Sequence, residues 1–304
     1  MEHWQDIRRI HISALLLAIL FLFYPSYADS TSISDDHQKC EYQIVSRVID
    51  GDTFELSNGI RVRLIGVDTP ETVDPREDVQ WFGREAAKKL KGWISGKRVC
   101  LKRDRDMTQD IDTHGRLLRY IWSESTRTEK DGLFVNAELI KQGYGLAYTD
   151  YPFQYLEEFR KYEKDARRNN RGLWNRKKQK LWEKEVERNK SLSRTCGREN
   201  TICPQDTIRH IGEYRTVRFF VRKSYDSGKA VFLNSKNDFR DYDNFTAVIL
   251  VGDSTLQKEN KNKFPKEPAD YYWGKTLDVT GRIVEYEGRA EIILERPSQI
   301  KIVR

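Results

Sequence analysis

Short apolar runs alternate with polar residues across positions 42–67, in the segments YQIVSRVI, TFELS and IRVRLIGV. A period of two is typical of strands that bury one face. Asn58-Gly59 lies between the second and third segments and favours a tight hairpin turn. The pattern therefore predicts an antiparallel strand meander.

Helical spacing follows at positions 82–93 and returns at 135–140 and 156–166, before Gly172-Leu173-Trp174. Between the first two helical regions stand the strand-like segments KRVCLK and RLLRYIW, separated by a polar loop. These elements predict a mixed α+β fold in which helices pack on a small five-stranded barrel. We expect this first domain to span residues 40–174.

The remaining chain divides into a charged segment and a second set of strands. Residues 175–204 predict a basic connector helix with a loop that contains two cysteines. Its charge fits either a solvated helix or a contact with phosphate. Residues 205–304 contain five strand-like runs, including YRTVRFFVR and FTAVILV, and predict a second small β-barrel.

The first residues have the features of an export signal. Arg8 and Arg9 precede an apolar run that ends at Ser26-Tyr27-Ala28, as in a secretory signal peptide. We predict that residues 1–28 are cleaved after Ala28 and that the mature protein is secreted or periplasmic, without stable membrane association. An uncleaved membrane anchor is the alternative.

The formal net charge is +7 at pH 7 and stays so without the first 28 residues, because Glu2 and Asp6 offset Arg8 and Arg9. A basic surface attracts polyanions through counterion release, so nucleic acid and anionic membrane are both candidate partners. The sequence implies no protein partner, and we expect a monomer.

Four cysteines remain after the predicted cleavage: Cys40, Cys100, Cys196 and Cys203. An even number in an exported chain predicts two disulfides, although four cysteines allow three pairings. Cys196 is close enough in sequence to Cys203 to close a small loop, which would pair Cys40 with Cys100. Zinc binding is the alternative, but the spacing lacks Cys-x-x-Cys pairs and a nearby histidine cluster.

Two acidic motifs, IDGDT at 49–53 and DTPE at 68–71, follow predicted strands and carry the candidate chemistry. Glycine and proline in these motifs favour turns that bring Asp50, Asp52, Asp68 and Glu71 to one rim of the barrel. Carboxylate oxygens without neighbouring histidine or cysteine favour calcium, magnesium or manganese, and calcium best tolerates an irregular ligand set. Each residue alone is more often part of a surface turn or ion pair.

Arginines accompany these carboxylates. Strand alternation places Ile60, Val62 and Leu64 on the core face and Arg61 and Arg63 on the opposite face. Arg116 follows a polar loop, after Gly115, which would allow the backbone to approach the site closely. The transition state of phosphodiester hydrolysis gains from a metal ion and from guanidinium groups that stabilise developing charge, and a base must activate the attacking water. Glu71 is the candidate base because its side chain reaches farther than an aspartate.

The segments VIDGDTFEL, RLIGVDTPE and THGRLLRYIW together resemble the staphylococcal nuclease (thermonuclease) family over about Tyr42 to Trp174. The resemblance implies a five-stranded oligonucleotide-binding (OB) barrel with three helices, and calcium-dependent cleavage of DNA and RNA to 3′-phosphorylated products. Residue matching implies calcium ligands at Asp52, Asp68 and the Thr69 carbonyl. It also implies catalytic arginines at Arg63 and Arg116 and a water-activating glutamate at Glu71.

The chain departs from the family pattern before Arg116, where Thr113-His114 replaces the usual lysine-tyrosine pair. His114 is therefore a candidate phosphate contact, with a solvent-facing loop histidine as the alternative. The family's substrate-side tyrosines match Tyr148 and Tyr151, which would stack on a base or pack in the core.

The second barrel resembles an OB fold through GKTLDVTGRIVEYEGRAEIIL and PSQIKIV. Those aromatic and basic residues that are exposed there would bind single-stranded nucleic acid, and we expect core packing to bury several of the candidates; they are Tyr214, Phe219, Phe232, Tyr242, Tyr286, Arg218, Arg222 and Lys229. A purely structural appendage is the alternative. The leading hypothesis is an exported calcium-dependent nuclease, and the alternative function is a catalytically silent nucleic-acid-binding protein with two barrels.

Overall fold

The computed structural model describes residues 40–72, 78, 80–124, 132–250 and 264–304. The predicted signal peptide lies outside these described residues. Five strands close a barrel in the order β1 (Glu41–Val48), β2 (Thr53–Leu56), β3 (Arg61–Leu64), β6 (Leu117–Ser123) and β5 (Arg98–Lys102).

The barrel closes because β1 pairs with two different strands. Its first half is antiparallel to β5, with Tyr42 opposite Cys100, and its second half is antiparallel to β2, with Val48 opposite Phe54. A register shift at 45–47 separates the halves, and such an irregularity bends a strand. β3 and β6 run parallel. The interior contains fully buried side chains from every strand, including Val45, Phe54, Val62, Leu101 and Ile121.

Three helices cover the barrel: α1 (Gly83–Ile94), α2 (Val135–Lys141) and α3 (Leu156–Arg168). Each buries the residues that its sequence spacing placed on one face, such as Leu90 of α1 and Phe159 of α3. A short pair, β4 (Val67–Asp68) with β7 (Leu146–Ala147), holds the segment after β3 beside the chain that enters α3.

The connector forms α4 (Arg176–Ser193), which begins where the Asn175 side chain accepts from the Lys178 backbone N–H. Beyond it, a disulfide joins Cys196 to Cys203, and a second disulfide joins Cys40 to Cys100 between β1 and β5. This is the pairing favoured by the sequence, and it leaves no free cysteine among the described residues.

The strands that follow form a second sheet, here called the C-terminal sheet. They are β8 (Thr201–Ile202), β9 (Tyr214–Phe220), β10 (Lys223–Asp226), β11 (Ala230–Asn234), β12 (Phe245–Leu250), β13 (Thr276–Tyr286), β14 (Arg289–Leu294) and β15 (Ile300–Ile302), with α5 (Pro268–Tyr272) before β13. The strand order is β10-β11-β12-β14-β13-β9-β8, and β15 pairs with β13.

This order repeats that of the barrel. β9 and β10 are separated by two residues and correspond together to β1, since β9 pairs with β13 and β10 with β11. The parallel pair β12–β14 corresponds to β3–β6. The two sheets have separate hydrophobic cores.

The predicted mixed α+β class with a five-stranded OB barrel is confirmed. The boundaries proposed for the domains stay predictions. One core assignment was wrong: Ile60 is 45% exposed because it precedes β3, whereas Val62 and Leu64 are buried. Across the described parts of the chain, the structure contains no helix with the length and apolar character to span a membrane.

Candidate active site

Asp52 lies buried at the start of β2, where the Asp-Gly-Asp turn meets the segment after β4. Its Oδ2 accepts from both the backbone N–H and the hydroxyl of Thr69, each at 2.8 Å, and its Oδ1 accepts from the Thr53 hydroxyl at 3.0 Å. Gly51 allows this approach, since a Cβ there would lie 2.6 Å from Thr69 Oγ1. The two acidic motifs are therefore bonded to each other.

Arg63 connects the two predicted calcium-binding carboxylates. Its Nη1 forms an ion pair with Asp52 Oδ1, and its Nη2 donates to Asp68 Oδ1 at 2.9 Å. The Arg63 side chain is only 16% exposed, whereas Asp68 is 46% exposed. One guanidinium thus contacts both a buried and an accessible carboxylate, so the two carboxylates lie around the same cationic group.

Arg116 is oriented by a five-residue turn that begins at Asp112. The Asp112 carboxylate accepts from the backbone N–H groups of His114 and Arg116, both at 2.9 Å, and from Arg116 Nε at 2.7 Å. Arg116 Nη1 also donates to the Thr53 hydroxyl at 3.2 Å. Burial alone would raise the pKa of Asp112, but these hydrogen bonds and the charge of Arg116 lower it.

Gly115 lies within this turn, where the sequence predicted a close approach of the backbone to the site. It has a φ of +74°, a conformation that favours glycine, and no atom lies within 4 Å of the position a Cβ would take. The turn therefore requires glycine for its backbone angle, and the predicted close backbone approach at Gly115 was wrong.

Glu71 belongs to a small hydrogen-bonded group centred on Thr72. The Thr72 backbone N–H donates to Glu71 Oε1 at 2.7 Å, while the Thr72 hydroxyl donates to Asp50 Oδ1 at 2.7 Å. Burial raises the pKa of Asp50, the Thr72 bond opposes this effect and the charge of Glu71 adds to it, which gives a pKa of about 6. Asp50 therefore lies close to Glu71 and accepts a hydrogen bond from Thr72, the residue after Glu71.

A cleft of about 580 Å³ gathers six of the nine predicted site residues. Its lining includes Arg63, Asp68, His114, Arg116, Tyr148 and Tyr151. Asp52 contacts Arg63 of this lining, and Thr69 is bonded to Asp52. Glu71 does not line this cleft and belongs instead to the group formed with Thr72 and Asp50.

The two tyrosines and the histidine all line this cleft. The Tyr148 and Tyr151 rings meet edge to face with centroids 5.3 Å apart, and both are partly exposed. Burial raises the pKa of both phenols. His114 is exposed on its loop. All three side chains are accessible to a substrate in the cleft.

Three residues that organise the site were not singled out from the sequence: Thr53, Thr72 and Asp112. Their neighbours in the motifs gave a signal, because each stands one to four residues from a predicted catalytic or metal-binding residue. Their hydrogen-bond partners, however, depend on strand pairing and turn geometry, which residue spacing does not supply.

Some of the candidates in the C-terminal sheet are buried, as expected. Phe219 is only 1% exposed and packs against Phe245. Arg218 is buried and makes two hydrogen bonds with Asp278, its cross-strand partner on β13. Tyr214, Tyr242 and Tyr286 are exposed as expected, and Lys229 is exposed in a hairpin turn.

The model of the family described as "Staphylococcal nuclease homologue" matches residues 61–176. The chain is 34% identical over 169 residues to a thermonuclease of Staphylococcus intermedius, covering 54% of this chain and 95% of that protein. It is 31% identical over 164 residues to a thermonuclease of Staphylococcus hyicus, covering 53% and 90%. It is also 32% identical over 151 residues to the endonuclease YncB of Bacillus subtilis, covering 48% and 67%.

The similarity extends over nearly the full length of two thermonucleases. It agrees with the closed barrel, the three packed helices and the cleft that Arg63 and Arg116 line. The chain belongs to the staphylococcal nuclease family, and it is a nuclease, a hydrolase of phosphodiester bonds.

Proposed function

We propose that this nuclease is exported and calcium-dependent, and that it hydrolyses DNA, RNA or both to 3′-phosphorylated products. The observation that carries the proposal is the double contact of Arg63 with Asp52 and Asp68, beside a cleft that Arg116 also lines. A phosphate in this cleft would meet two guanidinium groups and two carboxylates that hold a cation.

Arg63 and Arg116 are the proposed stabilisers of the transition state. A planar guanidinium matches two phosphate oxygens at once and gains most where negative charge develops. Arg116 uses Nε and Nη1 for Asp112 and Thr53, so three of its five N–H donors remain for phosphate within the described structure. The fixed turn at Asp112 keeps this group oriented before the substrate arrives.

Glu71 is the proposed general base, which accepts a proton from the attacking water. Its carboxylate accepts a hydrogen bond from the Thr72 backbone N–H, and Asp50, whose pKa burial raises to about 6, lies nearby. The Glu71 carboxylate thus has a fixed position and an acidic neighbour, as expected of a base that must hold and then release a proton.

The oxygen ligands fit a hard divalent cation. Asp52 and Asp68 already converge on one cationic group, the Arg63 guanidinium, and the Thr69 carbonyl belongs to the segment bonded to Asp52. Within the described residues no group of three or more acidic, histidine or cysteine side chains forms a metal site, so the proposed set relies on two carboxylates and a carbonyl. When bound, calcium would supply positive charge to the phosphate.

The C-terminal sheet is proposed to hold the nucleic acid near the cleft. Exposed rings at Tyr214, Tyr225, Phe239, Tyr242 and Tyr286 offer stacking surfaces, with the basic Lys229 on the same sheet. Stacking on exposed rings together with positive charge binds single strands without sequence preference. This role would raise affinity for long substrates above that for short ones.

Export is proposed from the predicted signal at residues 1–28 and from the two disulfides, which persist in oxidising compartments. Sequencing the amino terminus of the protein from the medium or periplasm tests this proposal. A chain that begins near Asp29 is expected, and one that retains Arg8 and Arg9 would contradict cleavage.

Cleavage assays in defined metal ions test the catalytic proposal. Plasmid and RNA should be digested with calcium, not with chelator, and far more slowly with Glu71→Ala. Nucleic-acid binding measured separately should persist in that variant. Full activity in chelator would overturn the calcium requirement, and full activity in Glu71→Ala would overturn the assignment of the base.

A further inference from the structure

We propose that the C-terminal sheet positions the general base, in addition to any role in substrate binding. Its residues contact Thr72 and Asp78, two of the four described residues of segment 71–80, here called the Glu71 segment; the other two described residues are Glu71 and Gln80. This inference rests on the proposed role of Glu71. It assigns Lys223 and Asp78 as positioning residues for the hydrolytic step.

Thr72 links the C-terminal sheet to the catalytic carboxylate. Its carbonyl oxygen accepts a hydrogen bond from Lys223 Nζ at 2.6 Å, while its N–H binds Glu71 Oε1 and its hydroxyl binds Asp50. All three polar atoms of one residue are therefore engaged, by the sheet, the base and the barrel. A shift of the Thr72 backbone would move the donor that fixes the Glu71 carboxylate.

The other end of the Glu71 segment is held by the same sheet and by α4. The Asp78 carboxylate accepts from Lys190 at 2.7 Å, from Arg222 at 3.1 Å and from Asn237 at 3.0 Å. Lys190 lies on α4, and Arg222 immediately precedes Lys223 of β10. Arg222 and Lys223 thus contact opposite ends of the segment.

The ends of the segment are also joined to each other. The Glu71 N–H donates to Gln80 Oε1 at 3.1 Å, and the Gln80 N–H donates to the Glu71 carbonyl at 2.9 Å. Gln80, two residues after Asp78, is therefore bonded to the Glu71 backbone in both directions. The contacts at Lys223 and at Asp78 act on the same residue from two sides.

The helix that follows this segment is fixed to the C-terminal sheet as well. Arg84 of α1 stacks on the Trp273 ring at 4.3 Å and donates to Asp270 at 2.8 Å and to Ser224 at 2.6 Å. Lys88, one turn later, pairs with Glu267 at 2.7 Å. The C-terminal sheet and α5 with its flanking residues therefore contact α1 as well as Thr72 and Asp78. Ser224, which accepts from Arg84, follows Lys223 directly in β10.

Substrate tethering alone predicts a different pattern of effects. A lysine that only attracts nucleic acid would change KM for long substrates and leave the chemical step unchanged. A lysine that positions Glu71 changes kcat, even for a substrate too short to reach the sheet. Misplacement of a catalytic group by about 1 Å can reduce a rate by about a hundredfold.

The test uses the full chain and a nucleoside nitrophenyl phosphodiester, a short substrate with a single phosphodiester group. Lys223→Met should lower kcat by about tenfold with KM and Tm nearly unchanged, and Lys223→Arg, which retains a donor, should recover most of the rate. Lys301→Met removes an exposed lysine elsewhere on the sheet and serves as the control of equal charge. Its kcat should match that of the parent protein.

Coupling to Glu71 is measured in the Glu71→Gln background, where Lys223→Met should cause little further loss of kcat. An equal loss in both backgrounds, or a loss confined to affinity for long DNA, would overturn the positioning role. Unchanged kcat in Glu71→Gln alone would instead remove the proposed base and the inference with it. Asp78→Asn acts at the other end of the segment and carries the same test if Lys223→Met fails to fold.

Discussion

Lys223 donates a hydrogen bond to the Thr72 carbonyl at 2.6 Å, although the two residues are 151 positions apart in sequence. The contact joins the C-terminal sheet to the group that holds Glu71. The first barrel and the C-terminal sheet are therefore in direct contact beside Glu71, the proposed base.

Removal of the Asp112 carboxylate should impair catalysis through Arg116. Asp112→Ala deletes the acceptor of three hydrogen bonds that set the turn and the guanidinium, so we expect kcat to fall by about tenfold or more. Steady-state kinetics on a short phosphodiester measure this effect. Asp106→Ala, at an exposed carboxylate on the same cleft, is the control, and equal losses in both variants would contradict the orienting role.

The ion-pair group at Asp78 should make stability depend on acid pH. Burial alone would raise the pKa of Asp78, but hydrogen bonds from Lys190 and Asn237 and the charge of Arg222 lower it from 3.8 to about 2. Because the folded pKa is the lower one, the stabilisation is complete well above pH 3.8 and is lost as pH falls through about 2.

Thermal unfolding of the parent protein and Asp78→Asn across pH 2 to 7 measures that contribution. The parent Tm should exceed the variant Tm by a constant amount at neutral pH, and the difference should shrink below about pH 4. A difference that grows on acidification would contradict the sign of the linkage.

The two disulfides should contribute unequally to stability. Cys40–Cys100 closes a 60-residue separation and Cys196–Cys203 closes one of 7. Loop-closure entropy gives about 4 kcal/mol for the first and about 2 kcal/mol for the second. Urea unfolding of the paired Cys→Ser variants compares them directly, and a larger loss from the short loop would refute the entropic ranking.

Tyr242 should contribute to binding of single strands. It is 73% exposed, and removal of a stacking ring weakens binding by about fivefold or more. Fluorescence anisotropy with a labelled oligonucleotide in chelator should show this loss for Tyr242→Ser. Ile293→Ser removes an exposed apolar side chain without a ring and should bind like the parent protein. Unchanged binding in Tyr242→Ser would exclude that ring from the tether.

The barrel was predictable because its information is local, and the proposed site residues also come from short motifs. Period-two strands, helical spacing and the two acidic motifs lie within short stretches, and the family resemblance implies catalytic roles for Arg63 and Arg116. In the structure these residues share one cleft with Asp68. Strand alternation also assigned Val62 and Leu64 correctly to the core.

The contacts that were not predicted join residues far apart in sequence. The partners of Asp78 are more than 100 positions away, so no spacing rule identifies them. Strand alternation also could not predict the burial of Arg218 in β9. Alternation separates the two faces of a strand, but it does not show that Arg218 is buried against Asp278. Burial of that arginine required the pairing of β9 with β13.

Single-turnover cleavage by Arg116→Ala, with DNA affinity measured separately in chelator, tests the central claim most directly. Arg116 lies in the cleft with Arg63 and Asp68, and its guanidinium is the proposed partner of charge that develops at phosphorus. The account predicts a rate at least about a hundredfold lower, with affinity changed only slightly. Undiminished cleavage in Arg116→Ala would contradict this assignment of the active site.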